Sequence, residues 1–379
     1  MKILVTGAHG FIGKNLIMRL KNKGYTDIYE YVRGSSDEEL RSYCSDAGFV
    51  FHLAGANRPE SEEEFWSGNR DLTKRLTDML EEAGNRCPVI VSSSTQAEQA
   101  DAGNTYGASK RGAEEAVYEY GLRTGAQVVI YRMPNVFGKW SRPNYNSAVA
   151  TFCHNIARGL PITINDPEHM MHLAYIDDVV EEFTEDMEIL LEGGTVYGSG
   201  ERNTALRCPV YDTRLGNIAE TIESFPLMRE SLEIPKLIDP LISKLYSTYL
   251  SFLPEDGFAY SLNMKTDNRG SFTEFIRTPD RGQVSVNVSH PGIVKGQHWH
   301  DSKNEKFLVV QGRGLIRFRK IGEDRVIDYH VSGEELTVVD IPTGYVHCII
   351  NEGDTDMVTI MWANESYDPE RPDTYREEV

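Results

Sequence analysis

The sequence predicts two domains of different class: a doubly wound parallel α/β sheet, then an all-β jelly roll. Three observations carry this expectation. At 379 residues the chain exceeds what one ordinary core organises. Up to about residue 200, short β-rich runs alternate with helical patterns. After about residue 258, closely spaced strands are broken by Gly, Pro, Asn and Asp. The expected boundaries are 1–250, ending in a helical cap, and 258–379.

The elements follow in order. "KILVTG", "DIYEYV", "FVFHLAG", "PVIVSSS" and "QVVIYRM" read as buried strands, with helices at Phe11–Lys23 and Ser67–Glu82. Residues 203–255 read as helix-rich, punctuated by Pro226, Pro235, Pro240 and Pro254. "QVSVNVS", "KFLVVQGRGLIRFRKI", "ELTVVDIP" and "HCIINE" read as strands of the second domain. The acidic end after Pro369 reads as a solvated, partly mobile tail.

Apolar residues make up 40% and charged residues 26%, the balance of a soluble globular chain. A net charge of -19 argues against a nucleic-acid or membrane-surface role, and is compatible with a local basic pocket for a small anion. No apolar run approaches the ~20 residues that span a bilayer. "MKILVTGAHG" enters a strand at once, without a signal-peptide pattern. Cys44, Cys87, Cys153, Cys208 and Cys348 are dispersed, as expected of reduced thiols in the cytoplasm.

"VTGAHGFIG" places Gly7, Gly10 and Gly13 between a strand and a helix that opens with Phe11 and Ile12. Glycines there admit a pyrophosphate close to the backbone, and the helix N-terminus supplies amide donors. Arg33, near the end of the second strand, stands where a 2′-phosphate is accommodated, which favours NADPH over NADH. "TYGASK" puts Tyr106 and Lys110 on one helix face, where an ammonium would lower the phenol toward neutrality. Ser94, at the end of "VSSS", offers a hydroxyl to a reacting carbonyl.

These motifs together resemble the extended short-chain dehydrogenase/reductase superfamily, over roughly residues 1–250. The resemblance implies a nucleotide-sugar substrate, with Ser94, Tyr106 and Lys110 catalytic. It places Ala54 and Gly55 of "FHLAGANRP" at the cofactor, with Lys110 on its ribose. Asn69, Arg132, Asn135 and His172 fall on the substrate side, and Asp177 and Asp178 of "AYIDDVV" close the sugar end. Dehydratases of the superfamily carry Thr-Asp-Glu after the fourth strand. Here the run is Ser94-Thr95-Gln96, which favours carbonyl reduction over elimination.

In "GQHWHDSKNE", His298 and His300 alternate on one strand face, and Glu305 follows. With Gly292, Gly312 and His347 of "PTGYVHCIIN", these spacings resemble the two cupin motifs, although Leu336 replaces a usual glycine. The resemblance implies that His298, His300, Glu305 and His347 hold a divalent metal, zinc foremost. "KTDNRGSFTEF" and "GIVKGQHWH" also resemble the metal-free deoxysugar 3,5-epimerases, in which His298 would be the base. His298 is therefore ligand or base. The ligand role is favoured because His300, Glu305 and His347 complete a set. Lys306, Arg269, Asp267 and Tyr345 are candidate helpers in proton transfer beside a ketone.

The two domains in this order resemble the capsular polysaccharide bifunctional epimerase/reductases of the UDP-N-acetyl-L-fucosamine pathway. By that resemblance the cupin inverts carbon 3 of a UDP-2-acetamido-2,6-dideoxy-4-ketohexose. The first domain then reduces the carbon-4 ketone with NADPH, in a homodimer. Two other readings fit the motifs: a reductase whose cupin only senses or dimerises, and a 4-epimerase with tightly held NAD and a non-catalytic cupin.

Overall fold

The computed structural model describes residues 1–58 and 60–379. They form two compact units, Met1–Glu223 with Lys244–Pro254, and Ser224–Ser243 with Glu255–Val379. The sequence expectation placed all of 224–243 in the first domain. Instead the change of unit falls inside one helix, a few residues before Pro226.

The first unit is built on β1 (Ile3–Thr6), β2 (Ile28–Tyr31), β3 (Phe49–His52), β4 (Val89–Ser94) and β5 (Val128–Met133). They are all parallel, in the order β2-β1-β3-β4-β5. Alternate strand residues feed two cores. Ile3, Val5, Phe49, Phe51, Ile90 and Val129 face one side. Leu4, Val50, Val89, Val91, Val128 and Ile130 face the other. This period of two makes the unit doubly wound. The chain order reverses between β1 and β3, so the ends of those strands form a crevice where such sheets bind ligands.

Helices α1 (Phe11–Asn22) and, later, α7 (Ile176–Leu191) cover the first face through Leu16, Leu20, Val179 and Phe183. Helices α2 (Asp37–Asp46), α4 (Leu72–Glu82) and α5 (Thr105–Thr124) cover the second through Leu40, Leu76, Leu80 and Tyr120. The short α3 (Glu62–Phe65) runs into α4 through a π-turn, Trp66–Asp71, which the helical pattern of the sequence does not reveal. Such turns recur at functional sites, and this one carries Asn69.

Helix α6 (Ala148–Ile156) and a small sheet of β6 (Asn135–Phe137), β7 (Met170–Tyr175) and β8 (Val210–Arg214) complete this part. Strand β8 lies in a stretch expected to be helical. Its residues are all exposed or half-buried, so no apolar run announces it. Helix α8 (Leu215–Ser231) runs through Pro226 rather than stopping there, and α9 (Pro240–Ser251) starts on a proline. Among the described residues no helix is long and apolar enough to cross a membrane, and no cysteine is in a disulfide.

The second unit is two antiparallel sheets. Its strands are β9 (Lys265–Asp267), β10 (Gly270–Thr278), β11 (Gly282–Ser289), β12 (Val294–Trp299), β13 (Glu305–Gln311), β14 (Arg313–Lys320), β15 (Val326–Ser332), β16 (Val338–Ile341), β17 (Tyr345–Asn351), β18 (Met357–Ala363) and β19 (Tyr375–Arg376). One sheet runs β16-β13-β18-β11-β10-β9 and the other β15-β14-β17-β12-β19. Phe307, Val309 and Met357 of the first meet Ile316, Phe318 and Ile349 of the second in a shared core. The tail after Pro369, expected to be mobile, instead adds β19 to the edge of β12.

Beneath the first sheet Asp186 is fully buried, and its oxygens are met by protein donors. Arg207 donates to it at 3.1 and 2.6 Å, and the Tyr131 hydroxyl donates as well. Replacing Arg207 by Met would strand that carboxylate. The expected loss is about 3 kcal/mol in denaturant unfolding, and a loss within experimental error would show that the pair does not hold α7 in place.

Candidate active sites

The N-terminal crevice begins at Gly7, which has φ +69 and a space so tight that a Cβ would lie 2.8 Å from the Ala54 nitrogen. A Cβ on Gly13 would meet the Gly7 carbonyl at 2.3 Å. Glycine is therefore required for the β1–α1 turn to touch both the end of β3 and the helix behind it. Helix α1 starts at Phe11 and Ile12 with no side-chain cap and no acid in its first turn. That leaves amide donors and a dipole facing the crevice, suited to an anionic pyrophosphate. The cradle thus fits a dinucleotide. Arg33 lies exposed just beyond β2, while Glu30 faces His9 at 3.3 Å and Lys21 at 3.8 Å.

Ser94 ends β4 and caps the following turn, its hydroxyl accepting from the Gln96 amide at 3.2 Å. Tyr106 and Lys110 lie in the first turns of α5, and Asn104 caps that helix. A Cβ on Gly107 would sit 2.2 Å from the Gln96 carbonyl, so this glycine lets α5 pack against the Ser94 turn. The Tyr106 hydroxyl donates to Asn57 Oδ1 at 3.0 Å. Burial pushes this phenol up, with the neighbouring Ser94 hydroxyl opposing it. The expected lowering by Lys110 is not seen: desolvation is the largest effect on the phenol, and the ammonium is engaged elsewhere. Lys110 donates to the Ser92 carbonyl at 2.7 Å, and burial brings it down to about 8.

Two expected substrate contacts are occupied within the protein. Asn69 is 1% exposed, and its amide spans Ala56 N at 2.9 Å, Ala56 O at 3.1 Å and Ser109 Oγ at 2.9 Å. It ties the turn after β3, with Ala54 and Gly55, to helix α5. Arg132 is clamped to Glu114 at 2.9 and 2.6 Å. Glu114 is the buried counter-ion four residues after Lys110, a spacing legible in the sequence but not used there. Asn135 stands exposed on β6, and His172 stands exposed on β7, paired with Asp212 at 2.6 Å. Asp177 and Asp178 are paired with Lys139 and Lys244.

One residue absent from the sequence reading is His52, at the end of β3. It is bonded to Thr6 Oγ1 at 2.7 Å and to Thr73 Oγ1 at 2.8 Å. Thr73 in turn donates to the Asn69 carbonyl at 2.7 Å. A lone strand histidine gives no sequence signal of this role.

In the second unit, the sequence Gly296-Gln297-His298 forms a bulge. Gly296 pairs with Cys348 and His298 with His347, so Gln297 is extra, at φ +60. The slip turns His298 to the same face as His347. His300 then follows two residues on, and Glu305 opens β13. The four donor atoms lie within 4.8 Å of one another. His300 Nδ1 meets the Asp373 carbonyl at 2.5 Å and His347 Nδ1 meets the Tyr345 carbonyl at 3.4 Å. A carbonyl only accepts, so each Nδ1 is the donor in these bonds and each ring turns its Nε2 inward. His300 Nε2, His347 Nε2 and Glu305 Oε2 are all buried without a hydrogen-bond partner. His300 and His347 approach Glu305 only at 3.4 and 3.5 Å. Burial, then its two neighbouring imidazoles, bring His298 down to about 4, so His298 is neutral near pH 7. Three imidazoles and a carboxylate converging at one point fit a divalent cation.

The cluster opens into a cavity of about 600 Å³. Asp267 and Arg269 line it, paired at 2.7 Å, and a Cβ on Gly270 would meet the Val288 carbonyl at 2.0 Å. Of the other expected helpers, Lys306 is exposed and paired with Asp340, and Tyr345 packs on Phe318; neither lines the cavity. Lys295 and Lys303, not singled out from the sequence, do line it. Lys295 Nζ donates to Asn287 Oδ1 and to the Val288 carbonyl, both at 2.7 Å, and burial lowers it.

Comparison with known proteins places this geometry. Residues 3–188 match the NAD dependent epimerase/dehydratase family, and residues 265–375 match the polysaccharide biosynthesis C-terminal domain. The chain is 45% identical over 376 residues to a UDP-2-acetamido-2,6-beta-L-arabino-hexul-4-ose reductase of Pseudomonas aeruginosa, covering 99% of this chain and 98% of the relative. It superposes on the capsular polysaccharide assembling protein CapF of Staphylococcus aureus with TM-score 0.92 and 49% identity, each chain covered fully, 100%. A UDP-glucose 4-epimerase of Thermus thermophilus, solved with NAD, shares the fold at TM-score 0.53 and 16% identity, over 66% of this chain and 99% of that one.

The neutral state of His52 has a measurable consequence. Burial, then the Lys110 charge, lowers it from 6.5 to about 3. Below pH 6.5 the unfolded chain therefore takes a proton that the folded chain refuses, and stability falls by about 1.4 kcal/mol per pH unit from this group alone. A His52→Asn variant should show a correspondingly shallower decline between pH 6 and 4. Parallel curves for the two proteins would contradict the assignment.

Proposed function

The chain belongs to the family of the UDP-2-acetamido-2,6-beta-L-arabino-hexul-4-ose reductases, and on that footing we propose that it is a bifunctional nucleotide-sugar enzyme of capsular or surface polysaccharide precursor synthesis. The second unit epimerises carbon 3 of a UDP-2-acetamido-2,6-dideoxy-4-ketohexose. The first unit reduces the carbon-4 ketone with NADPH, giving UDP-2-acetamido-2,6-dideoxy-L-talose. The observation that carries this reading is the presence of two separately equipped sites in one chain, with the reductase relative matching its full length.

In the reductive site, NADPH would lie along the glycine cradle and supply hydride to carbon 4. Arg33, exposed just beyond β2, supports a 2′-phosphate there. Tyr106 gives its hydroxyl proton to the ketone oxygen, leaving the bond it makes to Asn57. Its raised proton affinity keeps the phenol protonated, the form a general acid needs. Ser94 donates to the same oxygen. Lys110, lowered to about 8 yet still largely charged at neutral pH, places positive charge beside the nicotinamide ribose.

In the second site, His298, His300, Glu305 and His347 would hold a divalent cation such as zinc. That ion would polarise the ketone and so acidify the neighbouring C–H. Lys295 contributes a fixed ammonium to the cavity wall. Three protein oxygens hold it, including the Ser271 carbonyl at 3.4 Å, so it meets developing negative charge without reorganising.

The deciding experiment incubates the 4-keto sugar nucleotide with enzyme in D2O before any NADPH is added. Deuterium should enter at carbon 3, and subsequent NADPH should be oxidised. Absence of exchange would overturn the bifunctional reading. A Tyr106→Phe variant should retain exchange and lose reduction by at least about 100-fold.

Replacing Lys295 by Met should slow exchange by about 100-fold while leaving NADPH-dependent reduction of the epimerised ketone unchanged. Wild-type exchange in that variant would remove Lys295 from the chemistry.

A further inference from the structure

Residues 372–379 are bonded to the strand and loop that carry the four-residue cluster. Strand β19 pairs with β12 so that Arg376 lies opposite His298 and Tyr375 opposite Trp299. The Tyr375 ring stacks on Trp299, with centroids 4.5 Å apart. The Glu377 amide donates to the Gln297 carbonyl at 3.2 Å, and the Val379 amide donates to Gln297 Oε1 at 2.9 Å. Arg319 anchors the far end, donating to Glu377 Oε1 at 2.6 Å and to the Glu378 carbonyl at 2.8 Å.

Asp373 is the centre of this arrangement. Its backbone carbonyl accepts from His300 Nδ1 at 2.5 Å, which fixes both the tautomer and the ring orientation of that histidine. Its carboxylate accepts from three successive amides: Asp301 at 2.9 Å, Ser302 at 2.9 Å and Lys303 at 2.7 Å. The Ser302 hydroxyl adds a fourth bond at 3.1 Å. Those residues are the irregular stretch between His300 and Glu305, and no strand pairing holds it. Asp373 itself sits at φ +38, a conformation aspartate tolerates better than most residues and one that its bonds here compensate. The preceding Pro372 carbonyl accepts from the buried Lys303 ammonium at 3.1 Å.

We propose that the C-terminal segment 372–379 is a positioning strap for the four-residue cluster, with Asp373 holding His300 and the 301–303 loop in register with Glu305. This rests on reading the cluster as a metal site. The carboxylate clamps the loop, the clamp holds the Asp373 backbone, and that backbone carbonyl aims His300 Nε2 at its neighbours. Removing the carboxylate leaves all four donor side chains in the chain but frees their spacing.

The test measures Zn²⁺ affinity of the full-length protein by competition with a chromogenic chelator, and the visible absorption of the Co²⁺-loaded protein. Asp373→Ala should weaken Zn²⁺ binding by about 10–100-fold and alter the cobalt spectrum. Asp373→Asn keeps one acceptor oxygen and should fall between the alanine variant and wild type. It also decides the matter if the alanine variant fails to fold. Lower thermal stability of the metal-free variants, with wild-type affinity and an unchanged cobalt spectrum, would mean a purely structural tail and would overturn the proposal. Failure of the wild-type protein to take up either metal would sink the metal reading, and the strap with it. Normal uptake by wild type and both variants alike would sink the strap alone.

Discussion

Three buried atoms without partners, His300 Nε2, His347 Nε2 and Glu305 Oε2, impose the constraint around which the second unit is organised. Unsatisfied polar atoms in a dry interior cost roughly 1–3 kcal/mol each, and more when charged. A core made only for stability would replace them with apolar side chains. Here the surrounding backbone is shaped to keep them: a bulge with Gln297 at φ +60, a loop pinned at three amides, and Asp373 at φ +38 just before the tail strand. Each is a local departure from ideal geometry, and all of them lie on β12 or the segments bonded to it. Strain of this kind is expected where a site, rather than a core, sets the requirement.

The first unit solves a related problem differently. Its cofactor crevice must bring backbone close to a charged ligand, so glycine occupies the contact positions and side chains must brace the turns from behind. The brace is a buried polar chain. Thr6, His52, Thr73 and Asn69 connect the ends of β1 and β3 to the π-turn, and Asn69 continues to Ser109 on α5. Helix α5 and the turn after β3 are thereby one bonded body, so Tyr106 and Lys110 hold their places relative to Gly55.

Much of both sites was legible because their motifs are local. Gly7, Gly10 and Gly13, the Tyr106–Lys110 spacing, and His298 with His300 all act through residues a few positions apart. What was not legible is long-range bonding. Asn69 and Arg132 were expected on the substrate side, because their segments resemble motifs of the short-chain family. Only the three-dimensional structure shows Ala56, Ser109 and Glu114 taking up their hydrogen bonds. The tail misled for a similar reason: an acidic, proline-bearing end has the composition of a solvated segment. Its carboxylate at Asp373 meets amides about seventy residues earlier in the chain, a pairing no periodicity encodes.

By itself the sequence determined the order of the two folds, the glycine turn, and the candidate side chains for both sites. These follow from alternation, spacing and residue type, which survive without coordinates. Only the tertiary structure decided which polar groups face a ligand and which are consumed in holding others. That outcome depends on burial and on hydrogen-bond partners distant in sequence, which no local motif encodes.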